Sequence, residues 1–174
     1  MEESALKHIK EYFSLRLEIE KLCEHLTSTH QKHLKCKEGC DLCCLDFDVF
    51  PIEYYAIREE IRKQEITLPS EAQGGRCSFL KNHSCSLYNL RPIICRTHGL
   101  PLLNMNEEGT QWELSFCELN FKDTNENDFD ENNTYPQDTF NSRLFMLNRD
   151  FISSFDEKSY NEFDLIPLKN LLKE

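Results

Sequence analysis

Cysteine is what most constrains this chain. There are nine in 174 residues, and four of them crowd into Cys36-Lys37-Glu38-Gly39-Cys40-Asp41-Leu42-Cys43-Cys44. Thiols this dense are not core packing. A Cys-x-x-Cys or Cys-x-x-x-Cys step brings two sulfurs to one ion because a tight turn closes over it, and Gly39 supplies the permissive backbone such a turn wants. Neighbouring side chains diverge, so Cys43 and Cys44 are not expected to share one simple tetrahedral site. One of them bridges, serves a second metal, or stays a free thiol.

The remaining cysteines are Cys23, Cys77, Cys85, Cys95 and Cys117. Cys23 lies between apolar residues of a helical segment and reads as a buried, hydrophobe-like thiol. That leaves Cys36, Cys40, Cys43, Cys44, Cys77, Cys85, Cys95 and Cys117 as candidate metal ligands. One zinc ion or one four-iron cluster uses about four thiolates. The set therefore fits two zinc ions, a cluster plus a zinc, or a cluster with spare reactive thiols. A thiolate-only site is negative, and Arg91 and Arg96 flank Cys95 as expected cationic partners to sulfur.

A disulfide scaffold is the competing reading. The segment Met1-Glu2-Glu3-Ser4-Ala5-Leu6-Lys7 has no basic stretch followed by an apolar one, as a secretory signal would. The chain reads as cytoplasmic, where clustered cysteines are metal ligands or redox groups rather than structural bridges. An odd count also suits a disulfide framework poorly. The net charge of −11 and pI near 5.0 argue against nucleic-acid and anionic-membrane partners. No apolar run is long enough to span a bilayer. With five glycines and no Gly-rich phosphate loop, a nucleotide fingerprint is missing.

The expected fold is α+β, mainly α: one small domain over residues 1–174, with one or two short β-hairpins organised around a cysteine-rich metal site. Helices are expected over 4–34, 51–64 and 138–155. The first carries two rotated apolar stripes (Leu6, Ile9, Phe13, Leu17 and Leu15, Ile19, Leu22, Leu26), so it is covered on two sides or bends. Pro51 suits a helix first turn, and Asp138 is placed to cap the last helix, whose inner face is Phe140, Leu144, Leu147, Phe151 and Phe155. Pro69 and the Gly74-Gly75 pair mark an exposed loop. A hairpin is expected over 77–88. A second joins Leu102–Met105 to the alternating Trp112, Leu114 and Phe116, with one face buried and Trp112 in the core. Residues 122–134 read as a solvated acidic loop, and the tail is expected to pack through Phe163, Leu165, Ile166 and Leu168.

The pattern Cys36…Cys40-x-x-Cys43-Cys44, then Cys77-Ser78-Phe79-Leu80, then Cys85-x-x-Tyr88-x-x-Arg91-Pro92-x-x-Cys95-Arg96 resembles the YkgJ-type cysteine-cluster family. That family is also called the CxxCxxCC, or zinc- or iron-chelating, domain. The resemblance covers about residues 36–121. It departs from the family pattern at its first step, Cys-x-x-x-Cys instead of Cys-x-x-Cys. It implies a metal or iron–sulfur site, with Tyr88, Arg91 and Arg96 beside the bound group, and it does not imply a defined activity.

Cys117 is expected to be a ligand, with a core thiol as its rival. His98, in Cys95-x-x-His98, stands between a ligand and a turn histidine bonded to backbone, and His83 reads as solvated. His8, His25, His30 and His33 are placed on a polar helix face. Three functions remain open. The chain is a cysteine-cluster protein holding zinc or an iron–sulfur cluster in a redox, sensing or chelating role. Alternatively it is a metalloenzyme with an open site and a spare thiol, or a structural zinc module supporting a protein–protein surface. The sequence indicates a metal ion or cluster as partner and identifies neither a protein partner nor a substrate.

Overall fold

The computed structural model describes residues 3–37, 39–69 and 76–173. The expected loop at Gly74-Gly75 lies outside them. Helix α1 runs Glu3–Thr29 with no Gly or Pro to interrupt it, and it ends before the expected residue 34. Its buried side is Ala5, Ile9, Tyr12, Leu15, Ile19, Cys23 and Leu26, one stripe at spacings of three and four. The two-stripe expectation is corrected: Leu17 is exposed, and Tyr12 and Cys23 fill the seam instead. His30 is also corrected. It is buried, its Nε2 lies 2.7 Å from the Asn133 carbonyl oxygen, and its ring meets Phe121 edge-on.

Strand β1 (Asp48–Val49) leads into α2 (Pro51–Lys63). Pro51 occupies the first turn, where a missing N–H costs nothing, and Arg62 and Lys63 sit favourably at the negative end of the helix dipole. Strands β2 (Leu80–Lys81) and β3 (Ser84–Cys85) make the first hairpin. Asn82 and His83 form its turn at φ of 51° and 63°, the left-handed geometry of a type I′ turn. Helix α3 is short, Ile93–Thr97.

The second hairpin pairs β4 (Leu102–Met105) with β5 (Trp112–Ser115), Met105 opposite Trp112. Strand β6 (Tyr135–Pro136) adds to β4 in parallel. Two residues show no period, so β6 was not foreseen. The order β5-β4-β6 leaves β5 at an edge while β4 lies against the last helix. That corrects the buried-face expectation: Trp112 is 63% exposed and Phe116 is exposed too.

Helix α4 (Gln137–Ser153) buries Phe140, Leu144, Asn148 and Phe151 against α1 and α2. Asp138 does not cap it; its Oδ2 accepts the Met105 N–H at 2.6 Å and ties α4 to β4. Asn148, fully buried, accepts the otherwise unpaired Ile52 N–H with Oδ1 at 3.2 Å and so fastens the start of α2. Residues 122–134 hold a short 3₁₀ turn, Glu126–Asp128, capped reciprocally by Asn125 and Asp128. Strand β7 (Ile166–Pro167) pairs antiparallel with β1. Ile166 and Leu168 are buried in the tail, but Phe163 and Leu165 are exposed, contrary to expectation. The fold is α+β, mainly α, with short sheets of two or three strands. No described helix is long and apolar enough to cross a membrane.

Candidate metal centre

The loop between α1 and β1 carries Cys36, Cys40, Cys43 and Cys44. Two tight turns shape it: the Cys40 N–H donates to the Lys37 carbonyl, and the Cys44 N–H to the Asp41 carbonyl, both at 3.0 Å. Gly39, at φ +85°, supplies the left-handed residue within the first turn. Asp46 then grips Ser78 twice, accepting its N–H at 2.7 Å and its hydroxyl at 2.9 Å, and this brings Cys77 alongside. The Arg76 guanidinium donates to the Leu42 carbonyl at 3.0 Å. Cys85 comes from β3, Cys95 from α3, and Cys117 from the turn after β5, closed by the Asn120 N–H on the Cys117 carbonyl.

The thiols differ in their electrostatic neighbours. Burial pushes the Cys43 thiol up, and Cys36, Cys40 and Cys117 push the same way. Burial pushes Cys44 up to about 12, and its neighbours are Cys43, Cys77, Cys85 and Asp41. Cys95 is raised by burial and then by Cys77, Cys85 and Cys44. Cys77 is raised by burial and by Cys85 and Asp46, against an opposing backbone hydrogen bond. Cys85 is raised by burial, with a backbone hydrogen bond and the Arg91 charge pulling it back. Cys36, Cys40 and Cys117 neighbour Cys43 (the first set), and Cys77, Cys85 and Cys95 neighbour Cys44 (the second set), with Cys43 and Cys44 also neighbours of each other. Desolvated thiols without a counter-charge hold their protons; a divalent cation reverses that preference and makes them thiolate ligands.

A small cavity of about 30 Å³ is lined by Cys77, Cys85 and Cys95, with Asp46 and Arg91 at its wall. It is about the volume of one water molecule, so room for a single ion exists there. Among the described residues, no three His, Cys, Asp or Glu side chains stand close enough to hold an ion as they are. The donor set fits zinc or iron in kind and number, and ligation would draw neighbouring thiols together.

Asn120 organises the first set. It is buried to 1% exposure, and its Oδ1 accepts the Lys35 N–H at 2.7 Å. Its Nδ2 donates to the Gly99 carbonyl at 2.8 Å and lies 3.4 Å from Cys36 Sγ. Gly99 has φ +90°, and a Cβ there would sit 2.8 Å from Cys36 Sγ. Asn120, Gly99 and Asp46 were not singled out from sequence. Position just after Cys117 was the signal for Asn120.

The other expected residues separate by direction. Arg91 lines the cavity, donates Nε–H to the Tyr88 carbonyl at 2.8 Å, and lies over the Tyr88 ring at 3.8 Å. Arg96 turns away from the thiols: it pairs with Glu20 of α1 and donates to the Arg91 and Asn89 carbonyls. His98 donates its Nδ1–H to the Ile94 carbonyl at 2.5 Å, as a turn histidine does. His83 is exposed and faces Asp41 at 2.9 Å. Cys23 is buried in the helical core, and burial pushes its thiol up to about 11.

Residues 35–118 match the model of the CxxCxxCC family, described as "Putative zinc- or iron-chelating domain". The match begins just before Cys36 and ends just after Cys117. No curated protein and no solved structure matches the chain.

Proposed function

We propose that the CxxCxxCC domain of this chain is a metal-chelating module with two separate thiolate sites. Cys36, Cys40, Cys43 and Cys117 would hold one ion, and Cys44, Cys77, Cys85 and Cys95 the other. The family match supports zinc or iron chelation in general. What supports the two-site reading is that Cys43 has Cys36, Cys40 and Cys117 as neighbours while Cys44, besides Cys43 itself, has Cys77 and Cys85. It uses eight thiols as two groups of four, the number a closed structural zinc site takes.

In this reading no clustered thiol is spare, which favours a chelating or structural role over nucleophilic catalysis by cysteine. A divalent ion bound by four thiolates carries a net charge of about −2. Arg91, beside the second set, offsets part of it. Bound metal would supply cross-links between the loop after α1, the β2–β3 hairpin, α3 and the turn after β5. The same donors would suit an iron–sulfur cluster at either set.

Metal and acid-labile sulfide analysis on protein purified without oxygen tests this reading. Two zinc ions per chain without sulfide are expected. Iron with sulfide and a broad visible absorption would assign clusters instead. Cys43→Ser and Cys44→Ser should each lose one ion and keep the other. If either substitution empties both sites, or the chain holds a single ion, the two-site reading fails.

A further inference from the structure

Cys85 and Cys95 line the small thiol cavity from the two ends of one bridge, residues 86–94. The bridge is pinned at both ends. At its start the Ser86 N–H and hydroxyl donate to the Phe79 carbonyl, at 2.9 and 3.1 Å. At its end, where α3 begins, the Ile93 N–H donates to Oε1 of the buried Glu53 at 3.0 Å. Between these anchors the chain makes the 3₁₀ turn Tyr88–Leu90 and passes through Arg91. The backbone of that middle stretch sets the offset between the two thiols.

Arg96 holds the middle. Its side chain is only 5% exposed. Its Nε–H donates to the Arg91 carbonyl and an Nη2–H to the Asn89 carbonyl, both at 2.7 Å. An Nη1–H donates to Oε2 of Glu20 on α1. Burying a guanidinium is costly unless it is paired and hydrogen-bonded, and both carbonyls that receive this one belong to the bridge. One rigid, planar group thus ties the link between two candidate ligands to the first helix. A lysine has no such reach: its donors sit on a single nitrogen, whereas the guanidinium spreads them over three. The clamp also bears on Arg91. With its carbonyl held, Arg91 donates Nε–H to the Tyr88 carbonyl at 2.8 Å and keeps its side chain at the cavity wall.

We propose that Arg96 and Glu20 are positioning residues for the metal site that includes Cys85 and Cys95. Neither touches the ion. The clamp fixes the stretch from Asn89 to Arg91, so ligation needs no refolding of the chain between the two thiols. Order established during folding is not lost again as entropy when the metal binds, and affinity rises accordingly. The inference rests on the metal-chelating reading and adds to it the two residues that set the strength of this site.

The test is zinc titration of the full chain in competition with a chromophoric chelator. Cys95→Ser identifies the binding step that belongs to this site. Arg96→Lys keeps the charge and loses the fork, and Arg96→Gln loses both. Each should weaken that step about 10–100-fold, the range for groups that support metal ligands, while any step that survives Cys95→Ser keeps its affinity. Glu20→Gln retains an acceptor oxygen for the Nη1–H and should bind zinc as the parent does. Glu20→Ala should weaken the step about ten-fold. Glu20 is a third exposed on α1, so this pair decides the matter even if the arginine variants do not fold. The proposal is overturned if Arg96→Lys or Glu20→Ala binds as the parent does, or if all steps weaken by one common factor, which would mark a general loss of fold. If Cys95→Ser removes no zinc, the chelation reading falls and the proposal with it. If Cys95→Ser removes a step that Arg96→Lys and Glu20→Ala leave untouched, the proposal alone falls.

Discussion

Asn120 Nδ2 stands 3.4 Å from Cys36 Sγ, and the same side chain joins three segments far apart in sequence. Its side-chain amide fixes Lys35 before the first cysteine and Gly99 after α3, and its backbone N–H closes its own turn on the Cys117 carbonyl. Asn120→Ala would leave the Lys35 N–H and the half-buried Gly99 carbonyl without this partner. The expected loss is about 1–3 kcal/mol, from two hydrogen bonds at about 0.5–1.5 kcal/mol each. Asn120→Asp keeps the acceptor for Lys35 and sets a carboxylate against a thiolate. It should fold better than the alanine variant yet bind metal less tightly at the first set. Urea denaturation and metal titration of both variants check this; an alanine variant as stable as the parent would refute it.

Gly99→Ala and Gly109→Ala make a matched pair. Both glycines have positive φ, +90° and +68°. An added Cβ meets Cys36 Sγ at 2.8 Å and Asn120 Nδ2 at 3.3 Å in the first case, and open space in the second. Each substitution costs about 1–3 kcal/mol for the left-handed backbone. Only Gly99→Ala should also displace Cys36 and weaken the first site, leaving the ion at Cys44, Cys77, Cys85 and Cys95. Metal content of the two purified variants separates the effects. Equal occupancy in both would show that Cys36 moves aside freely.

The clustering of the cysteines was legible in the sequence, but the division proposed for them was not. Chain adjacency says that Cys43 and Cys44 diverge without saying toward what, and the partners Cys117 and Cys77 lie in other segments. The β4–β5 hairpin and the Pro51 start of α2 were readable because each rests on a local rule, a period of two and a fixed φ. The inner stripe of α1 was misread because Tyr12, whose hydroxyl meets Glu53, takes a core place there while Leu17 faces solvent; Cys23 is buried as expected. Trp112 was misplaced because alternation does not reveal that β5 is an edge strand with nothing packed over it.

Removing metal should act on one part of the molecule. The helices α1, α2 and α4 share a core that includes Ile19, Ile52, Leu144 and Phe151, and of the candidate ligands Cys77 and Cys85 pack against its border. The loop after α1 is held instead by short turns and by the Asn120 and Arg76 side chains. Chelation should therefore strip hydrogen-exchange protection from the amides of Cys40, Cys44 and Asn120 while amides near Ile19 and Phe151 keep most of theirs. Loss of protection throughout would mean that the helical core also depends on the metal.

Glu53 should give the fold an inverse pH dependence that can be isolated. Burial raises its carboxyl to about 7, while the Ile93 N–H, the Tyr12 hydroxyl and the Arg16 charge pull it back only partly. Its unfolded value is near 4.5. Between these two values the folded chain keeps a proton that the unfolded chain releases, so this group's contribution falls as pH rises through about 4.5–7 and is constant above. The full span is on the order of 3 kcal/mol. Thiolate ligation works in the opposite direction, since acid protonates the ligands and releases the metal. The difference between the parent and Glu53→Gln removes that shared background. Urea midpoints measured from about pH 5 to pH 8 should show the variant gaining on the parent as pH rises, with the gain levelling above about 7. A difference that is flat across this range would mean that Glu53 is already ionised in the folded chain at acid pH, stabilised by Arg16 beyond what burial takes away.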